Sequence, residues 1–411
     1  MQDPVSSLGQ GVRAVLLALL PLLLLAAPPA VADTDGPRAI VSAEGDGRGL
    51  TRQGFRLTLG LNAPVRFRAF TLEAPRRLVV DLEEVAFDAL DADLAEDLPG
   101  VRSLRFGLFA PGWSRIVLDL EAPLTIASAH EDTTRDRPRI VITAERVSAV
   151  RFAAAARAPG DVTWATPVPA PAAAGEATLT TVVIDPGHGG IDPGAIRDGL
   201  AEKAVALTFA EELRRRLEAT GRYHVALTRA SDVYVGLRRR VEIARAAGAD
   251  VFLSIHANTV TAGVASGAAV YTLSTEASDA EAAALAAREN RADLLAGIDL
   301  AGEEDLLARV LLDMAQRETN ARSLRLARAV VAGLRDEVGV IRSRPHRSAG
   351  FRVLKAPDIP SLLIELGFLS HPDDRENMRS PEWRARAADG IVAALDAWQA
   401  EEAEQAALTH P

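Results

Sequence analysis

Apolar and polar residues alternate with a period of two through the first part of the chain. The alternation is regular over residues 55–61, and short apolar runs follow at 78–82, 115–120 and 139–142, with Pro and Gly between them. A period of two is typical of strands that bury one face, and Pro and Gly mark the turns between such strands. The pattern predicts a small all-β sandwich over residues 38–146.

From residue 179 onward, apolar runs alternate with long stretches of helical periodicity. The runs lie at 182–185, 251–256 and 361–365, and the helical patterns lie at 202–219, 237–247 and 383–398. Strands that alternate with helices form parallel sheets whose two faces the helices cover. We therefore predict that residues 179–400 form an α/β domain with a twisted, mostly parallel sheet and helices on both faces.

Two further segments interrupt this plan. Residues 147–178 are rich in Ala and Pro, and this composition predicts a semi-stiff linker between the two domains. Residues 274–340 have apolar positions at helical spacing, and they predict a helical insert within the α/β domain.

The first 32 residues have the pattern of an export signal. Ala14–Ala27 is an apolar run, Arg13 precedes it, and Ala30-Val31-Ala32 provides a small-residue cleavage site. The run is shorter than the ~20 residues that a membrane-spanning helix needs. We predict a signal peptide over residues 1–32, whose cleavage leaves a mature chain without a membrane span.

The composition narrows the chemistry that the chain can perform. The formal net charge is −10 and there is no basic stretch, which argues against nucleic acid as a partner because its phosphates require a surface rich in Lys and Arg. The chain contains no cysteine. Any transition metal must therefore be held by His, Asp or Glu.

Residues suited to metal and proton chemistry lie at the ends of three predicted strands. His188 follows the first strand, His256 ends the second, and Glu365 ends the third. Because ligands bind at the carboxyl ends of the strands in open α/β sheets, we expect these side chains to converge. Glu202 begins the helix after the first strand, so it should return to the same edge.

Two imidazoles and two carboxylates fit metal-assisted amide hydrolysis. A catalytic zinc ion takes three ligands from His and carboxylate groups and keeps a fourth position for water. The remaining carboxylate can move a proton from the water to the leaving amine. A phosphate-binding loop at 187–194 is a competing interpretation, but Asp192 and Pro193 interrupt its glycine pattern.

The same residues carry a resemblance to a known family. The segments Val183–Ala195, Glu202-Lys203, Ser254–Asn258 and Pro360–Ser370 occur in this order, and they resemble the motifs of the zinc-dependent N-acetylmuramoyl-L-alanine amidases of type 3. Such enzymes hydrolyse the amide bond between N-acetylmuramic acid and L-alanine in peptidoglycan. The resemblance implies that one zinc ion is the cofactor and that peptidoglycan is the substrate.

The resemblance also assigns a role to each candidate residue. It implies that His188, Glu202 and His256 bind zinc and that Glu365 is the catalytic glutamate. Two other functions stay open at this point. One is a zinc peptidase that cuts within stem peptides, and the other is a catalytically silent wall-binding division factor.

The predicted sandwich is similar to a second known module. Residues 101–107 and 115–120 resemble the AMIN domain, which is associated with peptidoglycan binding and with the localisation of periplasmic amidases to division sites. Together with the export signal, the resemblance implies a periplasmic enzyme of cell-wall remodelling and daughter-cell separation. The residues alone leave the exterior of a Gram-positive cell open as an alternative.

The helical insert resembles one found in division amidases that are inactive until a protein activator binds. Our hypothesis is that part of residues 274–340 covers the zinc site and that Glu289 occupies the open zinc position as a carboxylate. A protein activator would then displace the insert. The alternative is a helical hairpin with a purely structural role.

Overall fold

A computed structural model describes residues 38–46, 54–110, 112–132, 137–156, 179–260, 265–296 and 309–409. The signal peptide predicted over residues 1–32 lies outside the described residues, as does most of the predicted linker. Within the described part of the chain, no helix is both long and apolar enough to cross a membrane.

The N-terminal region is an all-β sandwich of two sheets. Its strands are β1 (Arg38–Asp46), β2 (Gly54–Leu61), β3 (Phe67–Leu72), β4 (Arg77–Glu83), β5 (Val85–Ala86), β6 (Val101–Ala110), β7 (Trp113–Leu120), β8 (Leu124–Asp132) and β9 (Arg139–Arg146). In the described residues, one sheet has the order β5-β1-β2-β9-β8 and the other has the order β3-β4-β7-β6. All strand pairs in this region are antiparallel except β1 with β5. A short 3₁₀ helix, Ala92–Asp97, precedes β6.

The inner faces of the two sheets form one apolar core. Leu57 of β2, Leu78 of β4, Ile116 of β7 and Ile142 of β9 are fully buried in it. Helix α1 (Ala149–Ala155) follows β9 and adds the buried ring of Phe152 to the same core. The first part of the predicted linker, residues 147–178, thus contains a short helix that contacts the sandwich core.

The C-terminal region is the predicted α/β domain. Its strands are β10 (Thr180–Pro186), β11 (Ile196–Arg197), β12 (Leu200–Ala201), β13 (Tyr223–Leu227), β14 (Val251–Asn258), β15 (Ala269–Leu273), β16 (His346–Ala349) and β17 (Ser361–Phe368). Its helices are α2 (Glu202–Ala219), α3 (Leu237–Ala246), α4 (Ala280–Glu289), α5 (Ala292–Leu295), α6 (Arg309–Glu337), α7 (Pro372–Arg379) and α8 (Pro381–Thr409). A short 3₁₀ helix, Arg352–Leu354, lies between β16 and β17.

The main sheet of the described residues has the order β13-β10-β14-β17-β15-β16. Every pair in it is parallel except β15 with β17, which is antiparallel. Neighbouring residues of the central strands belong to different apolar clusters: Leu253 packs with α2, α6 and α8, whereas Phe252 packs with α3 and α4. Helices thus cover both faces of a mostly parallel sheet, as predicted.

The range of the predicted helical insert contains helices that pack on both faces of the main sheet. Leu326, Val330 and Leu334 of α6 are fully buried in the core under the sheet. Helix α6 also packs closely on α8. The two backbones are so close that a Cβ atom at Gly333 would lie 2.1 Å from the carbonyl oxygen of Gly390. Residues 274–340 therefore include one core helix, α6, and two short helices, α4 and α5. The short helices lie on the other face of the main sheet.

A buried ion pair fixes the carboxyl end of β10. Asp185 is fully buried, and it accepts hydrogen bonds from Thr228 Oγ1 (2.5 Å), Ser254 Oγ (2.7 Å) and Arg240 Nη1 (2.7 Å). The same guanidinium donates to the carbonyl oxygen of His188 at 2.8 Å. Burial alone would raise the pKa of Asp185, but Arg240 and the two hydroxyls outweigh it, so the pKa lies below its ordinary value.

Replacing Arg240 with Ala should therefore destabilise the α/β domain strongly. The change leaves a carboxylate buried without its cation, which costs about 3–5 kcal/mol of unfolding free energy. Denaturant unfolding followed by tryptophan fluorescence measures this loss. Arg222→Ala is the matched control, because the Arg222–Asp396 pair is half-exposed and such pairs contribute at most about 1 kcal/mol.

The loss should also depend on pH. A carboxyl group with a lowered pKa stabilises the fold above its unfolded pKa, and this stability disappears as the pH falls through the folded value. The difference between wild type and Arg240→Ala should therefore shrink in acid. An equal loss of stability in Arg240→Ala and Arg222→Ala would contradict the structural role given to this pair.

Candidate metal centre

The three residues predicted at strand ends and Glu202, predicted at the start of a helix, converge on the carboxyl edge of the sheet. His188 follows β10, His256 lies in β14 and Glu365 lies in β17, where it is the register partner of His256. Glu202 is the first residue of α2. All four side chains are buried.

The loop after β10 holds His188 in an unusual backbone conformation. His188 has a φ of +58°, in the left-handed region that few non-glycine residues adopt. The residue before it must be glycine, because a Cβ atom at Gly187 would lie 2.5 Å from the imidazole ring of His256. The two imidazole rings can therefore approach to 4.9 Å between centroids.

One carboxylate oxygen of Glu202 faces both imidazoles. Its Oε1 atom lies 3.0 Å from His188 Nε2 and 3.0 Å from His256 Nδ1. The carboxylate is fixed from behind, since the backbone amides of Ala257 and Ala195 donate to its two oxygens at 3.1 and 2.9 Å. This geometry places one oxygen and two nitrogens around a common point.

Glu289 approaches the same two nitrogens from α4. Its Oε2 atom lies 3.4 Å from His188 Nε2 and 3.5 Å from His256 Nδ1, and the side chain is buried. One atom each from His188, His256 and Glu289 falls within 4.8 Å of the others. Glu289, which was expected to reach the site from the helical segment, thus lies next to the two histidines.

The donor set fits a zinc ion. Two imidazole nitrogens with carboxylate oxygens are ligands that zinc takes in proteins without cysteine. Among the described residues, the buried Nε2 atom of His188 makes no hydrogen bond, although a carboxylate oxygen lies 3.0 Å away. A buried polar atom of this kind normally has a partner, and a cation between the donors would supply one.

Asp192 supports His188, and sequence reasoning did not assign it this role. Its Oδ2 atom lies 2.8 Å from His188 Nδ1, and its Oδ1 atom accepts a hydrogen bond from the Gly194 amide at 3.1 Å. A carboxylate on one imidazole nitrogen orients the ring and directs the other nitrogen to a metal. The spacing of four residues after His188 is the signal that could have indicated it.

Arg288 is a second residue that the sequence did not single out. Its Nε atom donates to Glu289 Oε1 at 2.9 Å, and its Nη2 atom donates to Asn258 Oδ1 at 3.3 Å. The guanidinium thus places a positive charge beside the carboxylates of the site. It also holds Glu289 on the side of the imidazoles.

Burial and charge shift the pKa values of the site residues in opposite directions. Burial lowers the pKa of His188, but the neighbouring carboxylates Asp192, Glu202 and Glu289 outweigh it and raise the value well above the ordinary range. Burial raises the pKa of Glu202, but His188 and His256 outweigh it and lower the value.

Glu365 behaves differently from Glu202. Burial and the negative charge of Glu202 both raise the pKa of Glu365 well above its ordinary value. Its two buried oxygens find no hydrogen-bond donor in the part of the chain that the structure describes. A carboxyl group that retains its proton next to a set of metal donors is suited to proton transfer.

The space around the donors is small. The cavity lined by His188, His256 and Glu289 measures about 10 Å³, which is room for roughly one water molecule. Glu289 and its neighbour Asn290 are part of its wall. The segment that carries Glu289 thus forms part of the boundary of the space next to the donors.

Comparisons with known proteins identify the family of the chain. The family model described as N-acetylmuramoyl-L-alanine amidase matches residues 182–397, and the AMIN domain model matches residues 46–153. The chain is 32% identical over 363 residues to the N-acetylmuramoyl-L-alanine amidase AmiC of Escherichia coli O6:H1, covering 84% of this chain and 87% of that protein. It is 33% identical to AmiC of Neisseria meningitidis serogroup B over 368 residues, covering 83% and 86%.

Solved structures of amidases are also similar to part of this chain. The amidase AmiC2 of Nostoc punctiforme has 26% sequence identity and a TM-score of 0.40, with coverage of 55% of this chain and 99% of that chain. An amidase of Clostridium difficile 630 has 25% identity and a TM-score of 0.39, with coverage of 54% and 97%. The resemblance drawn from the motifs is confirmed by the family models and the two relatives: the chain belongs to the N-acetylmuramoyl-L-alanine amidase family, whose members are hydrolases, and it carries an AMIN domain.

Proposed function

We propose that this chain is a zinc-dependent amidase that cuts the bond between N-acetylmuramic acid and L-alanine in peptidoglycan, and that Glu289 keeps it inactive at rest. In this proposal His188, Glu202 and His256 bind one zinc ion, and Glu365 moves the proton. The observation that carries it is the pair of carboxylate oxygens, from Glu202 and Glu289, that face the same two imidazole nitrogens.

A zinc ion in such a site supplies a Lewis acid and a water molecule whose pKa approaches neutrality. The protein supplies orientation. Asp192 fixes the ring of His188, the amides of Ala195 and Ala257 fix Glu202, and the strand register fixes His256 opposite Glu365. These constraints hold the donors in place before the substrate arrives, so that little reorganisation is needed during the reaction.

Glu365 is suited to the proton transfers of amide hydrolysis. Its carboxylate would accept a proton from the attacking water and then donate it to the nitrogen of L-alanine as the amide bond breaks. The raised pKa supports the second step, because a carboxyl group that retains its proton can protonate a leaving amine. Glu365 lies beside His256 in the strand register and outside the group of close donor atoms, so in this proposal it acts without binding the metal.

The position of its carboxylate supports closure of the site by Glu289. A catalytic zinc ion needs one open position for water. The Oε2 atom of Glu289 lies near both histidine nitrogens, and the adjoining cavity has room for roughly one water molecule. An activator that moves α4 and α5 would open this position, which makes a protein partner part of the proposal.

The cellular setting is proposed from the same family assignment. The AMIN domain would bind peptidoglycan and localise the enzyme to the division site, and the predicted signal peptide over residues 1–32 would export the chain to the periplasm. Cell-wall remodelling and the separation of daughter cells are the processes that such an enzyme would serve. The presence of all four active-site residues argues against a catalytically silent binding factor.

Removing the support of His188 should weaken zinc binding. Asp192→Ala leaves the imidazole without its orienting carboxylate, and changes of this kind reduce metal affinity about 10–100-fold. Competition with a chromophoric chelator measures the affinity. The control is Asp336→Ala, an exposed position on α6. Equal zinc affinity in both variants would remove Asp192 from this role.

Replacing Glu365 with Gln should abolish cleavage and leave zinc in place. Loss of a general acid–base costs about 10²–10⁴-fold in rate, whereas the proposed ligands are untouched. The rate is best measured in a chain that also has Glu289→Ala, and the zinc content is measured by atomic absorption. Glu376→Gln, an exposed glutamate of α7, is the control. A Glu365→Gln variant that still cuts at the parental rate would exclude the catalytic role.

Replacing Glu289 with Ala should raise the cleavage rate of the chain in the absence of an activator. The variant loses the interactions of a carboxylate with charged partners, which contribute about 1.5–3 kcal/mol, so the expected rise is roughly 10–100-fold. Release of stem peptide from purified muropeptides measures the rate. Glu281→Ala, at an exposed position of the same helix, should behave like wild type. An unchanged rate in the Glu289→Ala variant, with zinc bound, would favour the purely structural hairpin.

A further inference from the structure

The outer face of one sandwich sheet is buried against residues of the α/β domain. In the sheet β3-β4-β7-β6, the residues that point away from the sandwich core include Leu72, Val79 and Val117, which are at most 1% exposed. They belong to an apolar cluster that contains Leu285 and Ala292 of the helical segment. We call this surface the docking face, formed by Phe70, Leu72, Arg77, Val79, Arg115 and Val117.

Two arginines of the docking face bind the C-terminal end of α5. Arg77 Nη1 donates to the carbonyl oxygen of Leu294 at 2.6 Å, and Arg115 Nη1 donates to that of Ala296 at 3.0 Å. The last carbonyls of a helix lack internal partners and carry partial negative charge, so cations stabilise them. Both guanidiniums are almost completely buried, which strengthens these bonds relative to bonds at a solvated surface.

The guanidinium of Arg115 is fixed for this contact. Asp81 accepts from its Nε atom at 2.5 Å and from its Nη2 atom at 3.0 Å. The plane also lies over the ring of Phe109, with the guanidinium carbon 3.3 Å from the ring centroid. A cation held on two sides loses little entropy when it binds the carbonyl of Ala296.

The segment that the docking face binds is the one that carries Glu289. Only three residues separate Asn290, the C-cap of α4, from Leu294. Asn290 donates to the carbonyl oxygen of Gly350 at 2.8 Å, and the Asp293 carboxylate accepts from the hydroxyl of Tyr234 at 2.7 Å. Glu289 therefore lies on a segment whose next helix, α5, is bound by the two arginines.

The sandwich also touches the loop that carries His188. The carbonyl oxygen of Leu108 in β6 accepts hydrogen bonds from the amides of Ile191 (3.2 Å) and Tyr234 (3.3 Å). A Cβ atom at Gly107 would lie 2.6 Å from the Ile191 nitrogen, so the two backbones are in close contact. Strand β6 thus contacts the loop that carries His188.

We infer that the docking face is a clamp: the AMIN domain binds residues 292–296 and thereby holds Glu289 against the metal donors. This gives the domain a second role beside any binding of the cell wall. Release of the docking face, by a partner that occupies it, would open the site. The inference rests on the proposed blocking role of Glu289, and the experiment below separates the two.

The test uses the full chain with Arg77→Ala, and with Gly107→Ala as an independent second variant. The first removes a bond to α5, and the second inserts a methyl group where the backbones meet. Arg102→Ala is the control, because Arg102 lies in the same sheet but is 70% exposed and makes only a long ion pair. Circular dichroism and zinc content establish that each variant is folded and loaded.

Two readouts are needed. Hydrogen exchange of a peptide covering 285–296 reports the clamp directly, and exchange should be about tenfold faster in Arg77→Ala and Gly107→Ala than in Arg102→Ala. Cleavage of muropeptides without an activator reports the consequence, and it should rise about tenfold in Arg77→Ala. The Glu289→Ala chain is measured in parallel.

The outcomes distinguish the inference from the proposed function. Unchanged exchange in both folded variants would overturn the clamp, whatever Glu289→Ala does. Faster exchange without a rise in cleavage, when Glu289→Ala does raise it, would show that the contact is passive packing and would also overturn the clamp. If Glu289→Ala itself raises nothing, the blocking role fails and the clamp has no function, even if the exchange shows that the docking face holds the segment.

Discussion

The structure of the site depends on the burial of ionisable groups next to two imidazoles. Glu202, Glu289 and Glu365 are buried close to His188 and His256, and unpaired charges in such a place are very costly. Each buried carboxyl group of the site is therefore compensated in its own way. Glu202 is compensated by histidines and backbone amides, Glu365 has a raised pKa, and Arg288 supplies a cation. The strained loop at His188 and the Asp185–Arg240 pair beneath it hold these groups in register.

Much of this arrangement could be predicted from the sequence, for a physical reason. In a parallel sheet the strand ends meet at one edge, so an apolar run that ends in His256 or Glu365 places that side chain without further information. Helical periodicity also predicted the range of α2, because its buried residues recur at helical spacing along one face. The role of Asp192 could not be predicted from periodicity, because it depends on the turn after His188.

The packing between segments could not be predicted in the same way. Helical spacing indicated that residues 274–340 form helices, but it does not say which face of the sheet a helix covers. The structure places α6 in the core and α4 and α5 near the site. The docking face is similar: Arg77 and Arg115 directly precede short apolar runs, where a charged residue would also stand at the start of a solvated strand. Only the three-dimensional arrangement shows that these charges are buried against another part of the chain.

The central claim is that this site cuts the bond between N-acetylmuramic acid and L-alanine with the help of a metal ion. The most direct measurement is the mass of the products that the chain with Glu289→Ala releases from purified muropeptides, with a chelator and after zinc is restored. The account predicts intact stem peptide and intact disaccharide, lost with the chelator and recovered with zinc. Fragments cut within the stem peptide, or cleavage that persists without metal, would contradict it.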